Sequence, residues 1–152
     1  MKARGTSFIV AGKRNRIEHD HQTAFFSWVR LNAQRHAELK RFYAIPNGGA
    51  RSHGQAVALY LEGVRAGVLD VHLPLPRNGK AGLWFEFKAP DGQYTTQQRE
   101  EREALEAEGH EVHTIREWTD AARITREYLN LPDLQIPAPI ATNQLDHRRR
   151  AL

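Results

Sequence analysis

The stretch "LWFEFK", residues 83–88, decides the fold, because it is patterned as a buried strand and yet carries charge. Successive side chains of a strand point to opposite faces of the sheet. One face is apolar and the other is mixed: Leu83, Phe85 and Phe87 form the first, and Trp84, Glu86 and Lys88 form the second. Burying a charge is costly unless the charge is paired or binds a metal. The strand therefore predicts a further charged partner beside Glu86 and Lys88.

The preceding segment "VLDVHL", residues 68–73, supplies that partner. Alternation places Asp70 and His72 on one face, with Leu69 on the opposite face. The turn-like link "PLPRNGK" (74–80) predicts that the two strands pair antiparallel. Asp70, Glu86 and Lys88 are then expected to converge on one side of the sheet, whereas His72 is expected to be a surface histidine.

Two carboxylates and a lysine on adjacent strands suit a particular chemistry. Neighbouring carboxylates repel when both are ionised, and a divalent cation between them removes that conflict. Hard oxygen ligands favour Mg²⁺ or Mn²⁺. Lys88 can orient or help deprotonate the attacking water and offset charge in the transition state, which indicates phosphodiester hydrolysis. The alternative interpretation is an ordinary Glu86–Lys88 ion pair on a half-exposed sheet, with Asp70 as a surface acid.

The flanking segments predict a mixed α/β fold. Three capping-box patterns indicate helix starts: Asn15 with Glu18, Ser52 with Gln55, and Thr95 with Gln98. The predicted helices cover about 16–37, 52–66 closed by Gly67, 95 to just before Gly109, and about 119–129. The predicted strands cover 41–45, 68–73, 83–89 and 111–115. The helix between the last two strands is long enough for a parallel crossover.

The chain of 152 residues fits one domain with basic ends. We expect a loose basic arm over 1–14, a domain over 15–130, and a Pro-rich, then basic, extended or mobile tail over 131–152. The net charge of +4 fits a protein that contacts DNA phosphates, with Arg14 and Arg16 as candidates, and equally fits a solubilising surface. The lack of cysteine suits a reducing cytosol, and no apolar run predicts a membrane span.

Five segments together resemble the VRR-NUC nucleases, a branch of the PD-(D/E)xK, restriction-endonuclease-like superfamily. The resemblance covers roughly residues 18 to 115, and its five segments follow in the family's order: "EHDHQ" (18–22), "IPNGGAR" (45–51), "GVRAGVLDV" (63–71), "FEFK" (85–88) and "YTTQQ" (94–98). The resemblance implies an αβββαβ core with a mixed central sheet flanked by helices. The helix at 52–66 is then an insertion after the first strand.

The resemblance also implies roles for individual residues. Asp70 and Glu86 would be metal ligands, joined by the Phe87 backbone carbonyl, and Lys88 would be the catalytic lysine. Glu18 matches a first-helix acid that can face the metal in this superfamily. Its alternative role is to complete a helix cap with Asn15. One position departs from the family, because Leu69 replaces a proline that supplies no ligand.

Four further positions are candidates for the site or for DNA contact. Gln22 and Gln98 match glutamines that flank the family's site, and Gln22 is also a candidate for DNA contact. Gln98 can instead only cap its helix with Thr95, or it can do both. Asn47 and Arg51 are candidates for DNA contact, although the segment around them can be a simple flexible turn.

The leading functional hypothesis is a Mg²⁺- or Mn²⁺-dependent DNA endonuclease without a nucleotide cofactor. The resemblance implies a homodimer, action on branched DNA such as four-way junctions, and the cytoplasm of a bacterial or phage-infected cell. Two other classes remain: a non-catalytic nucleic-acid-binding module that keeps the fold, and an adaptor that binds a partner through "LPDLQIPAPI" (131–140).

Overall fold

The computed structural model describes the backbone of residues 5–47 and 51–138, and the side chains of 12–47 and 51–138. Its elements follow in chain order: α1 (Gly5–Asn32), a short 3₁₀ helix (Ala37–Arg41), β1 (Tyr43–Ala44), α2 (His53–Leu61), β2 (Val71–Leu73), β3 (Leu83–Phe87), α3 (Thr96–Ala107), β4 (Glu111–Ile115) and α4 (Trp118–Leu129). No helix within these ranges combines the length and the apolar character that a bilayer span requires.

The four strands form one mixed sheet in the order β1-β2-β3-β4. β2 pairs antiparallel with both β1 and β3, and β3 pairs parallel with β4. The predicted antiparallel pair and the predicted parallel crossover through α3 are therefore confirmed. The register sets Val71 opposite Phe85 and Glu86 opposite Thr114.

Helices cover the two faces of the sheet unequally. The face toward α1 and α4 carries the main core, in which Phe25, Phe85 and Ala121 are fully buried. The opposite face carries a small cluster of Leu69, Trp84 and Val112, against which Tyr94 and Leu105 of the α3 region pack. The site-forming side chains of β3 lie on this second face.

α1 begins earlier than its capping pattern predicts. The helix runs from Gly5, so the expected loose arm is wrong for residues 5–14, while residues 1–4 lie outside the described chain. Asn15 is an exposed residue within the helix, where an asparagine is tolerated and no proline interrupts the backbone. The helix also ends five residues early, at Asn32, whose side-chain amide donates to the Trp28 carbonyl at 2.8 Å.

α2 confirms its predicted start and corrects its predicted end. Ser52 is the N-cap of a capping box with Gln55, as predicted. The helix stops at Leu61, and the left-handed glycine that follows is Gly63, with φ +96°. Gly67 is also left-handed, and a side chain would not fit there. Its backbone passes so close to Gln97 that an added Cβ would lie 2.6 Å from the Gln97 Cβ.

The segment after α4 returns to the core. Leu134 is buried in the main cluster, and the Trp28 indole donates to the Gln135 carbonyl at 2.9 Å. Residues 131–138 contain no helix or strand, in line with the predicted extended chain, and they contact the core through Leu134 and Gln135. Residues 139–152, including the basic end, lie outside the described chain, as do residues 48–50.

Candidate functional site

Asp70, Glu86 and Lys88 meet where β2 begins and β3 ends. Asp70 lies just before β2, and its Oδ2 accepts a hydrogen bond from the Phe87 backbone N–H at 2.8 Å. Lys88 directly follows β3, and its Nζ lies 2.9 Å from Glu86 Oε1. The predicted convergence is confirmed, and the roles of these residues in metal binding and catalysis stay predictions.

The site is buried, which rules out the alternative of a half-exposed surface ion pair. Glu86 is 1% exposed and Lys88 is 8% exposed. Among the described residues, Glu86 Oε2 has no hydrogen-bond partner. A buried acceptor without a partner is costly, so this oxygen calls for a donor or a cation.

Burial also changes the protonation of the two carboxyl groups. Desolvation, followed by the charge of Asp70, raises the pKa of Glu86 to about 7. Desolvation likewise raises the pKa of Asp70 to about 6, although the hydrogen bond from the Phe87 N–H opposes that rise. The two carboxyl groups therefore hold a proton more readily than free carboxyl groups do. A divalent cation can replace that proton, so the two oxygen donors fit Mg²⁺ or Mn²⁺.

Gln98 connects the site to the start of α3. Its Oε1 accepts from Lys88 Nζ at 2.9 Å and from the Thr95 N–H at 3.0 Å, and its Nε2 donates to Glu86 Oε1 at 2.5 Å. The predicted capping box with Thr95 is present. Both interpretations of Gln98 therefore hold, since one side chain caps the helix and contacts the site.

Glu18 contacts the strand end and not the predicted cap. It lies inside α1, and its Oε1 accepts from the Ala89 N–H at 3.0 Å. Within the described ranges, no group of three or more histidine, aspartate or glutamate side chains is gathered to hold a metal. Glu18 therefore braces the backbone beside Asp70 and Glu86, and its possible role as a metal ligand stays a prediction.

The residues predicted to contact DNA occupy varied positions. Arg14 forms an exposed ion pair with Asp91 at 2.5 Å, while Arg16 is exposed on α1. Gln22 lines a groove between α1 and β1.

The loop after β1 is held by its own polar side chains. The Asn47 amide donates to the Val68 carbonyl, and Arg51 donates to the Pro46 carbonyl at 2.8 Å. In this structure both residues brace the loop beside Asp70, and their contact with DNA stays a prediction.

The segment before β2 breaks the predicted alternation. Leu69 packs with Trp84 and not on the opposite face, because the regular strand begins only at Val71. His72 is buried and not a surface residue. Its ring stacks on Trp84 at 3.9 Å, and its Nδ1 lies 2.7 Å from the Tyr43 hydroxyl. Burial, followed by the nearby His110, lowers the pKa of His72 to about 4.

Tyr94 is a site residue that the sequence did not reveal. Lys88 Nζ lies 5.4 Å from the centre of its ring, and the Arg102 guanidinium lies 5.7 Å from that centre. The Tyr94 hydroxyl lies 2.9 Å from Thr114 Oγ1, on the strand beside Glu86. The only signal was the position of Tyr94 within "YTTQQ", which carries no information about Lys88.

Arg116 fixes the loop that follows Lys88. Its guanidinium donates to the carbonyls of Ala89, of Pro90 at 3.1 Å, and of Gly92 at 3.3 Å. No local pattern marks this arginine, since its partners lie more than twenty residues away in the chain. Together with Glu18, it holds the backbone that carries Lys88.

The fold is of the α/β class, with a mixed four-stranded sheet that helices cover on both faces. The chain is similar to a solved structure described as "VRR_NUC domain protein", with a TM-score of 0.62 and 22% identity over 75% of this chain and 88% of that chain. The chain therefore has a VRR-NUC-like fold, as predicted. No protein-family profile matches the chain. No curated protein matches its sequence.

Proposed function

We propose that this protein is a Mg²⁺- or Mn²⁺-dependent DNA endonuclease that acts in the cytoplasm. The observation that carries the proposal is the buried Glu86 carboxyl group beside Asp70: its Oε1 contacts Lys88, and its Oε2 has no partner among the described residues. The VRR-NUC-like fold supports the proposal, because the solved structure that shares it is described as a "VRR_NUC domain protein".

Each residue of the site has a separate role in the proposed reaction. Asp70 and Glu86 would hold the cation, with the Phe87 carbonyl as a further oxygen donor. The cation would supply Lewis-acid stabilisation of the charge that develops on the phosphodiester. Lys88 would orient the attacking water and offset negative charge, while Gln98 holds its Nζ 2.9 Å from the amide oxygen. Glu18 and Arg116 keep the loop after Lys88 in place.

The proposal is tested by cleavage of single-stranded, duplex, flap and four-way-junction DNA in Mg²⁺, Mn²⁺ or EDTA. We expect cleavage with either metal, and a loss of at least about 100-fold in Asp70→Ala and Lys88→Ala. Lys80→Ala is the matched control, since Lys80 is exposed in the turn at the other end of β2 and β3. Undiminished cleavage by both site variants would refute the assignment. DNA binding without cleavage by the wild type would favour the non-catalytic binding module.

We further propose that the protein works as a homodimer on branched DNA. α2 supports this, because every residue from His53 to Ala58 is exposed, and Val57, Tyr60 and Leu61 are large exposed apolar side chains. Exposed apolar patches commonly mark interaction sites. A symmetric dimer would present two sites to a symmetric junction.

Light scattering of the full chain tests the dimer. We expect a dimer mass for the wild type and a monomer mass for Leu61→Glu, with unchanged thermal stability of the monomeric unit. Ala107→Glu on α3 is the control, since it adds the same charge to a different exposed helix. A wild-type monomer at working concentration would contradict the proposal.

A further inference from the structure

A groove lies between α1 and the edge strand β1, on the side of the sheet away from α3. Its volume is about 330 Å³, and six residues line it: His19, Gln22, Thr23, Phe26, Arg30 and Ala44. None of these six residues is acidic. The groove therefore has hydrogen-bonding, aromatic and cationic groups without an opposing negative charge in its lining.

Both walls of the groove are continuous with elements of the candidate site. On the α1 wall, Glu18 lies one turn before Gln22 and holds the Ala89 N–H. On the β1 wall, Ala44 pairs with Val71, and the next residue, Ile45, donates its N–H to the Asp70 carbonyl at 2.8 Å. The groove therefore adjoins the backbone that carries Asp70, around the edge of the sheet at β1.

The α1 wall presents its groups in a regular row. Glu18, Gln22, Phe26 and Arg30 are each four residues apart, so they share one face of the helix. The row from Glu18 to Arg30 spans about 18 Å. Along it, an amide comes first, then an aromatic ring that is partly exposed, and then an exposed guanidinium.

We infer that this groove binds an unpaired nucleotide of the DNA strand that leads away from the scissile phosphate. Aromatic rings stack on unpaired bases, and arginine contacts phosphate. The volume of about 330 Å³ lies at the small end of ligand sites, so it suits one nucleotide and excludes a duplex. Phe26 stacks on the base, Arg30 binds the next phosphate, and Gln22 hydrogen-bonds the nucleotide nearest the site.

The inference rests on the proposed function, and binding in EDTA tests it separately from cleavage. The probes are a labelled flap DNA and a fully paired duplex of the same length, measured by fluorescence anisotropy. The wild type should bind the flap more tightly than the duplex. Arg30→Gln and Phe26→Leu should each weaken flap binding by about tenfold and duplex binding by less than about twofold.

Matched variants separate a specific effect from a general one. Lys80→Gln removes one positive charge at the far end of β2 and β3, and it should not change the flap preference. Phe26→Leu keeps an apolar side chain against the core, and Arg30→Gln alters only an exposed group, so a melting temperature identifies any loss of folding. If Phe26→Leu unfolds, Arg30→Gln still decides the result.

Equal affinity of the wild type for flap and duplex would overturn the inference, as would equal losses on both DNAs in the variants. Those outcomes leave Mg²⁺-dependent cleavage by the wild type untouched. Failure of the proposed function would instead appear as absent cleavage of every DNA in the panel, whatever the binding preference.

Discussion

The two faces of β3 bury their residues equally and use that burial in opposite ways. Toward α1 and α4, Phe85 and Phe87 join a cluster of seventeen buried side chains. Toward α3, Trp84 joins two other buried apolar residues in the described part of the chain, and Glu86 and Lys88 are buried on the same face. Burial on the first face favours folding, whereas burial on the second disfavours ionisation of Glu86. The apolar face therefore supplies the stability that lets the other face keep an acid with a raised pKa.

The largest expected effect concerns the apolar face. Phe85→Ala should lower the free energy of unfolding by about 3–5 kcal/mol, because it leaves a cavity among Phe25, Phe42 and the helices. Urea denaturation measures this loss. Trp28→Phe, in the same cluster, is a milder control that keeps an aromatic ring. A loss below about 1 kcal/mol for Phe85→Ala would mean that the apolar face does not supply the stability assigned to it.

The next effect concerns the charged face and depends on pH. Because burial raises the pKa of Glu86 to about 7, the folded state binds that proton more tightly than the unfolded chain does. The contribution of the Glu86 carboxyl group to the free energy of unfolding is therefore largest at low pH. It falls as pH rises from about 4.5 to about 7. Glu86→Gln cannot ionise, so without metal it should be more stable than the wild type at pH 8, on the order of 1 kcal/mol.

The same difference should shrink toward pH 4, where the wild-type carboxyl is protonated. Unfolding curves at several pH values in EDTA measure it. Glu106→Gln, at an exposed position of α3, is the control and should show little difference at either pH. If Glu86→Gln were less stable than the wild type at pH 8, ion pairing with Lys88 would outweigh desolvation.

The smallest effect on stability sharpens the contrast within the charged face. Tyr94→Phe keeps the ring near Lys88 and removes the hydroxyl contact with Thr114, which retains its contact with Arg102 at 3.2 Å, so the change should cost only about 0.5 kcal/mol. Cleavage should fall several-fold if that contact positions the ring.

A double-mutant cycle decides whether the hydroxyl contact matters. Thr114→Val removes the same contact from the other side, together with the hydrogen bond from Arg102, so the double variant should be little worse than Thr114→Val alone. Fully additive losses would mean that the two residues act separately. Tyr94→Leu, which removes the ring, should lower cleavage further than Tyr94→Phe.

Much of the sheet was predictable because its signals are local. The period-two pattern of "LWFEFK" and the short link before it determine the pairing of β2 with β3, and thereby bring Asp70 to Glu86. The capping boxes at Ser52 and Thr95 were also correct. In each case, the residues that carry the signal lie within a few positions of one another.

The errors arose where local patterns have no fixed meaning. The Asn15–Glu18 pair has the spacing of a cap and lies inside a helix, because an exposed asparagine does not stop one. Leu69 was assigned to the wrong face because alternation holds only within a regular strand, and β2 begins at Val71. The contacts of Tyr94 and Arg116 depend on how β4 packs beside β3, which no short segment encodes.

The Gln98 side chain both caps α3 and contacts the charged residues of the site. An amide there can accept from Lys88 and Thr95 while it donates to Glu86. Glutamate would keep the cap and repel Glu86, whereas lysine would lose both acceptor contacts. Few substitutions can satisfy the helix and the site together, so this position has little freedom to diverge. A substitution at Gln98 that alters the cap of α3 would therefore also alter the position of the Lys88 side chain.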